Sequence, residues 1–283
     1  MLATAPTHLP PAAIHVIDAD NPDLRGRAMD DLRQGFETWR LAFTLARLDL
    51  RNRYRGSVLG PFWFTLSAAA MIGGLGLLYS QLFKVDLVGY LPHLAVSLIV
   101  WQVMAGLAND ATTCMTQVDG VIRQLKLPYT IHALRCTFRN GLTALHQLPL
   151  ILIVFLMLGH NPGWAALLVL PGMVLLCVNG FAASMLLGML CARFRDIGPI
   201  VGNVLQLAFF LTPIMWKPDQ LGHVKVWLPF NPFYSILETI RGPLVEGGGG
   251  ILAWIAAIVF TALHCAIAFT FFVRFRGRIA FWV

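Results

Sequence analysis

The sequence predicts an all-α integral membrane protein: six transmembrane helices, an N-terminal amphipathic interface helix and re-entrant outer gate helices. Three observations carry this. The 283 residues are 57% hydrophobic and only 12% charged, about half the charge of an average soluble domain. Six charge-free runs each exceed the roughly 17 residues a helix needs to cross a hydrocarbon core about 30 Å thick. Finally, Lys and Arg crowd into alternate connections between those runs, as short cytoplasmic loops do.

Taken in order, residues 1–32 are Pro-rich and acidic and contain no apolar core, which excludes a cleavable signal peptide and predicts a mobile cytoplasmic tail. Residues 33–56 follow as the interface helix. Arg33, Glu37, Arg40, Thr44, Arg47, Arg51 and Arg55 recur at steps of three and four, while Phe36, Trp39, Phe43, Ala46 and Leu50 repeat on the other face. Such a helix lies along the membrane surface. It serves either as an anchor for the first span or as a face on which guanidinium groups grip the phosphates of an entering lipid diphosphate.

Residues 57–283 form the transmembrane domain, with spans at 62–83, 91–109, 140–159, 164–192, 197–216 and 247–273. The first carries Ala69 and Gly73, and the fourth carries Gly180, Ser184 and Gly188, at the spacing that lets helix backbones approach closely in lipid. Packing within the chain and contact with a second copy both use this pattern; the first is the more general use. The connection at 115–137 contains VIRQLKLPYT, a short amphipathic turn with Arg123 and Lys126 that Pro128 stops. It reads either as a docking element for a cytoplasmic partner or as a basic loop that holds this end inside.

The stretch VWLPFNPFYSIL, 226–237, is too short to span and too apolar for an open loop, and Pro229 and Pro232 break it. A re-entrant pair of short helices fits it, with protein shielding the backbone. Asn231, Phe233 and Tyr234 then lie near the outer mouth of any pathway, and the glycines at 247–250 supply the turn into the last span. Placing both termini in the cytoplasm puts 17 of the 21 Lys and Arg inside and leaves Lys84, Lys217, Lys225 and Arg241 outside. The net charge of +7 thus reports topology and contact with anionic headgroups, not nucleic acid.

The chemistry is sparse. No G-x-x-x-x-G-K-[ST] phosphate loop occurs, which removes that route to nucleotide hydrolysis. Asp110 and Asp119 sit at or beyond a span end and the span centres carry no charge, which disfavours proton coupling. The five cysteines form no C-x-x-C pair and the histidines no ligand spacing, so neither a metal nor a cofactor site is expected in this chain.

Six short motifs in order, RNRYRGSVLGPFW (51–63), VIRQLKLP (121–128), RFRDI (193–197), TPIMW (212–216), NPFY (231–234) and RIAFWV (278–283), resemble the permease subunit of ABC-2 type polysaccharide exporters, which move O-antigen, capsule or teichoic-acid glycans. The resemblance runs from Trp39 to the C-terminus. It implies a homodimer in the bacterial inner membrane, working with two copies of a separate ATPase that binds ATP and Mg, and a lipid-linked polysaccharide as cargo. It implies further that 33–55 is the interface or gate helix, that Val121, Arg123, Lys126 and Pro128 couple to the ATPase, and that 226–245, with Asn231, Pro232 and Glu238, forms the outer gate.

On that reading Arg47, Arg51, Arg53 and Arg55 meet the lipid diphosphate. Tyr54, Phe62, Trp63, Trp101, Phe209, Phe210, Trp216, Phe233 and Tyr234 border the glycan, because aromatic faces suit C–H-rich sugar faces. Trp and Tyr near span ends also belong by default to the interfacial aromatic belt. Two other functions stay open: an ABC-2 permease for another amphipathic cargo such as a lipid or drug, and a membrane enzyme acting on lipid-linked sugars. The enzyme needs grouped acidic or histidine catalytic residues, and the predicted topology scatters Asp196, Glu238 and Glu246 across opposite sides.

Overall fold

A computed structural model describes residues 23–57, 60 and 62–283; the expected tail at 1–22, and Val58, Leu59 and Pro61, lie outside the described residues. Everything regular among the described residues is helical. The first two helices are α1 (Leu24–Glu37) and α2 (Trp39–Arg53). Residues 24–32 are therefore part of a packed helix and not of a tail, and Thr38 interrupts what the periodicity suggests is one helix. Asp23 caps α1 by accepting from the Gly26 N–H at 2.8 Å.

Among the described residues, five helices are long and apolar enough to cross a membrane. The first is α3 (Phe62–Phe83) and the second α4 (Leu87–Thr113). After a short α5 (Asp119–Gln124), α6 (Tyr129–Leu145) and α7 (Leu148–Leu158) form a third, broken span. The break follows from Pro149, which has no N–H to give and clashes with a continued helix. The Leu150 N–H turns to the Gln147 carbonyl, and the His146 carbonyl accepts instead from the Thr65 hydroxyl of α3 at 2.7 Å. The fourth long helix is α8 (Val169–Arg193), entered through a 3-10 turn at Gly163–Leu168.

The fifth apolar run is shorter as a helix than as a sequence. Its helix, α9 (Ile197–Leu211), has 15 residues, or about 22 Å, against a core of about 30 Å. Pro213 explains the stop, since the residue before a proline is pushed out of helical geometry, and Thr212 is extended (φ −98°, ψ 135°). The chain then runs through buried Thr212 and Ile214 and a set of 3-10 turns at Pro218–Phe230, kinked at Gly222, into α10 (Pro232–Arg241). A π turn, Gly242–Glu246, leads to the last long helix, α11 (Ile251–Phe275), and a final turn, α12 (Ile279–Trp282).

The core gathers around α4, two thirds of whose most apolar window is buried. α8 lies against it through small residues: a Cβ added at Gly180 would come 2.8 Å from Leu107, and one at Gly188 would come 2.6 Å from the Cys114 sulfur. The Gly180, Ser184 and Gly188 stripe therefore serves packing within the chain. The stripe on α3 does so only at Ala69. Thr65, Ala68 and Ile72 face the core, whereas a Cβ at Gly73 or Gly74 meets nothing within 4 Å.

Candidate transport pathway and coupling surface

At the basic end of the bundle, α2 packs on α6 through Ala42, Ala46 and Leu50, all buried. Arg40, Arg47 and Arg51 point away from that face of α2, about 100–140° from its centre at 100° per residue, and are exposed. Arg55, just past the helix, is exposed as well. Phe36, at the end of α1, and Trp39 and Phe43, on α2, stay partly exposed, with Phe36 against Phe181 (5.4 Å between centroids) and Phe43 edge-on to Phe138 (5.7 Å).

Of the four arginines expected at an entry site, Arg53 differs. Its guanidinium lies 3.6 Å from Asp110, in a network in which Arg139 pairs with Asp110 (2.9 Å) and Asp49 (3.3 Å), and Arg135 donates to Asp49 (2.6 Å). Asn140 donates to the same Asp110 carboxylate at 2.9 Å. These charges sit among α2, α4 and α6 and bolt the interface helix to the bundle. Arg47, Arg51 and Arg55 form no ion pair among the described residues and can receive an anion. Beside them the Tyr54 hydroxyl is buried without a hydrogen-bond partner among the described residues, and burial pushes its pKa up, against the opposing charge of Arg53.

The aromatic candidates fall into three places. Phe62 and Trp63 are largely exposed at the start of α3. Trp101, in the middle of α4, is buried and meets Phe209 at 5.7 Å and Phe233 at 5.6 Å, with Phe210 stacked edge-on to Phe209 and exposed. Trp216 and Tyr234 join Leu228 and Ala253 in a separate apolar cluster. The structure thus brings Trp101, Phe209 and Phe233 together, with Phe210 beside them, and leaves the others at the two ends.

Helix α10 lies inside the far end of the bundle. Its first turn reaches Trp101 through Phe233, while its last turn meets His93, about two turns nearer the start of α4. Asn231 starts it by accepting from the N–H groups of Phe233 (3.0 Å) and Tyr234 (3.4 Å), and donates to Thr212 at 3.1 Å; Pro232 fills the first position, where its missing N–H costs nothing. A groove of about 560 Å³ runs beside it between α9 and the 218–230 turns, with Asn231, Pro232 and Phe233 in its wall.

Sequence reasoning placed Arg241 on the outer side, yet its side chain has no exposure. It pairs with Glu238 and donates to the Pro213 carbonyl at 2.6 Å and Ser97 at 3.3 Å; its guanidinium lies 5.8 Å from the Tyr234 ring. The i, i+3 spacing of Glu238 and Arg241 on one helix was the available signal. A second polar group, half-buried, had none: Asn179 donates to Thr261 at 2.7 Å and accepts from His264 at 3.1 Å beside an apolar cavity of about 330 Å³.

The coupling candidates lie at the basic end. In α5 and the strand-like segment after it, Val121, Arg123 and Lys126 are exposed, together with Leu125, while Pro128 is half-buried and ends the segment. Arg123 donates to the Val283 carbonyl at 3.1 Å. The surface therefore offers cations interleaved with aliphatic side chains, a composition suited to a protein partner. No group of three or more His, Cys, Asp or Glu stands close enough to hold a metal ion among the described residues.

Residues 40–245 match the sequence pattern of the ABC-2 type transporter family. The chain is 24% identical over 212 residues to the O-antigen export system permease protein RfbA of Klebsiella pneumoniae, covering 73% of this chain and 81% of that protein. The protein of the same name from Myxococcus xanthus is 23% identical over 219 residues, covering 76% of this chain and 84% of the relative. With a match that takes in well over half of its length and a bundle of membrane-length helices around α4, the chain belongs to the ABC-2 type transporter family of multi-pass membrane proteins.

Proposed function

We propose that the chain is the permease subunit of an ATP-driven exporter that moves lipid-linked polysaccharide of the O-antigen or capsule type across the bacterial cytoplasmic membrane. The observation that carries this reading is the likeness to O-antigen export permeases over about three quarters of the chain, in a sequence that has no phosphate loop of its own. The energy then comes from a separate ATPase, present in two copies, which binds ATP and Mg. The basic end faces the cytoplasm and both termini are assigned to that side, in line with the distribution of Lys and Arg.

In this reading the lipid diphosphate arrives at Arg47, Arg51 and Arg55, whose guanidinium forks suit phosphate oxygens, while Arg53 holds the helix in place. The glycan enters past Phe62 and Trp63 and continues between two copies of the chain. The unpacked side of α3, with Gly73 and Gly74 bare, supports a homodimer with close backbone approach there. Closure of the ATPase pair moves Val121, Arg123, Lys126 and Pro128. On the far side, residues 218–246 act as a re-entrant outer gate: Trp101, Phe209 and Phe233 border the path beneath it, with Asn231, Pro232 and the Glu238–Arg241 pair fixing α10.

Deleting the gene in its own host and measuring lipid-linked glycan inside the cell against polysaccharide on its surface tests this. The expected result is intracellular build-up with surface loss, reversed by the intact chain. Unchanged glycan in both places, in a host without a second exporter, overturns the polysaccharide reading and turns attention to another amphipathic cargo.

A further inference from the structure

The first turn of α6 begins directly after Pro128 and has no local cap: no side chain at its N-cap position bonds its N–H groups. Those groups are orphan donors at the positive end of a helix, where a carboxylate is the favoured partner. Asp31, in α1 and 98 residues earlier, supplies it. Its carboxylate accepts from the N–H groups of Tyr129 (3.2 Å) and Thr130 (3.1 Å) and from the Thr130 hydroxyl (2.8 Å). The same carboxylate pairs with Arg276 at 2.8 Å, and the side chain is buried.

Two further contacts make this a rigid joint. One turn along α1, Gly35 lies so close to Thr130 that any side chain would collide with it. The Arg276 guanidinium covers the Tyr129 ring at 5.8 Å, and Arg123 holds the Val283 carbonyl, so the C-terminal turn closes on both α5 and α6. Between Lys126 and Thr130 there are only three residues, one of them a proline with fixed φ. A displacement of 121–128 therefore reaches Thr130 with little slack, and through Asp31 it reaches α1. Farther along α6, Asp49 with Arg135 and Arg139 holds α2 in the same way.

We propose that Asp31 is a positioning residue of the transport cycle: it locks α1 to the end of the coupling segment, so that 121–128 and the arginine-bearing interface helix move as one body when the partner ATPase closes. This rests on the proposed coupling to an ATPase, but not on the identity of the cargo. The joint converts motion at the partner surface into motion of the headgroup-binding arginines, which a loop tethered only through α5 could not do.

The test uses the full chain reconstituted with its ATPase; co-purification and ATP hydrolysis by that complex establish the underlying reading independently. Spin labels at Gln34→Cys and Gln124→Cys, both exposed, are placed in a chain whose accessible Cys177 and Cys265 are replaced by alanine. With Asp31 intact, the label distance is expected to stay the same with and without ATP. A nucleotide-dependent change in that distance, in a complex that hydrolyses ATP, overturns the proposal without any Asp31 variant. In Asp31→Asn the distance is expected to broaden on ATP addition, and export per ATP to fall by about fivefold or more, with hydrolysis and assembly within about twofold of the parent. Asp31→Glu restores part of the loss. Unchanged export per ATP in assembled Asp31→Asn also sinks it.

Discussion

Replacing Arg241 by methionine removes the cation from a fully buried pair and leaves Glu238, 2% exposed, without its partner. Breaking a buried ion pair from one side costs about 3–5 kcal/mol, because the remaining charge has neither water nor a counterion. The Pro213 carbonyl, which accepts from Arg241 at 2.6 Å, loses its donor and adds about 1 kcal/mol. Arg241→Met should therefore destabilise the folded chain by about 4–6 kcal/mol, a fall in Tm of roughly 10 °C or more. In Glu238→Leu/Arg241→Met the stranded charge is gone, and an apolar replacement of a buried pair is often close to neutral; the Pro213 carbonyl and the Ser97 hydroxyl still lose their donor. The double variant should thus recover about 2–4 kcal/mol relative to the sum of the two single changes. Thermal unfolding of the purified protein in detergent, read by the loss of helical signal and by protease resistance, completes the double-mutant cycle. Additive single effects would refute the reasoning, since the pair could not then be the unit that holds α10 against α4.

Other perturbations separate packed from unpacked surfaces and structural from functional cations. Gly172→Ala places a Cβ 2.6 Å from the Thr239 backbone carbonyl and should cost about 1–3 kcal/mol by overpacking, whereas Gly202→Ala in α9, with open space around it, should be neutral or stabilising by up to about 1 kcal/mol; unfolding temperatures of the two variants must move in that order. Arg123→Glu or Lys126→Glu should leave a folded protein that assembles with the ATPase but exports little per ATP hydrolysed, and normal export in both would remove 121–128 from the coupling role. Changing Arg47, Arg51 and Arg55 together to glutamine should weaken binding of a lipid-diphosphate headgroup in vesicles and flatten its salt dependence without lowering Tm. Arg53→Gln should instead lower stability by about 0.5–1 kcal/mol, because its half-exposed side chain is paired with Asp110.

The sequence by itself determined the class of this protein, the position of its apolar runs and the side on which most of its bases lie. These are properties of windows of residues: enough contiguous apolar side chains make a membrane helix whatever surrounds them, and the bias of Lys and Arg needs no knowledge of contacts. The basic face of α2 was legible for the same reason, since a helix writes its two faces at steps of three and four. Proline marked two further features, the stop at Pro128 and the unusual stretch around Pro229 and Pro232.

Only the tertiary structure decided which charges are spent inside the molecule. Asp31 reads as part of an acidic tail until α1 brings it to the first turn of α6 and to Arg276, which is 245 residues away. Arg135 and Arg139 read as loop cations and Arg241 as an outer one, yet the first two complete ion pairs across packed helices and Arg241 is buried against Glu238 of its own helix. The length of α9 and the break before α7 were likewise invisible in hydropathy, which does not register Pro149 or Pro213. The physical reason is common to these cases. Hydrophobicity adds up locally along the chain, but a buried charge, a long-range cap or a close backbone approach is satisfied by whichever residue the packing delivers, and that residue has no fixed distance in sequence.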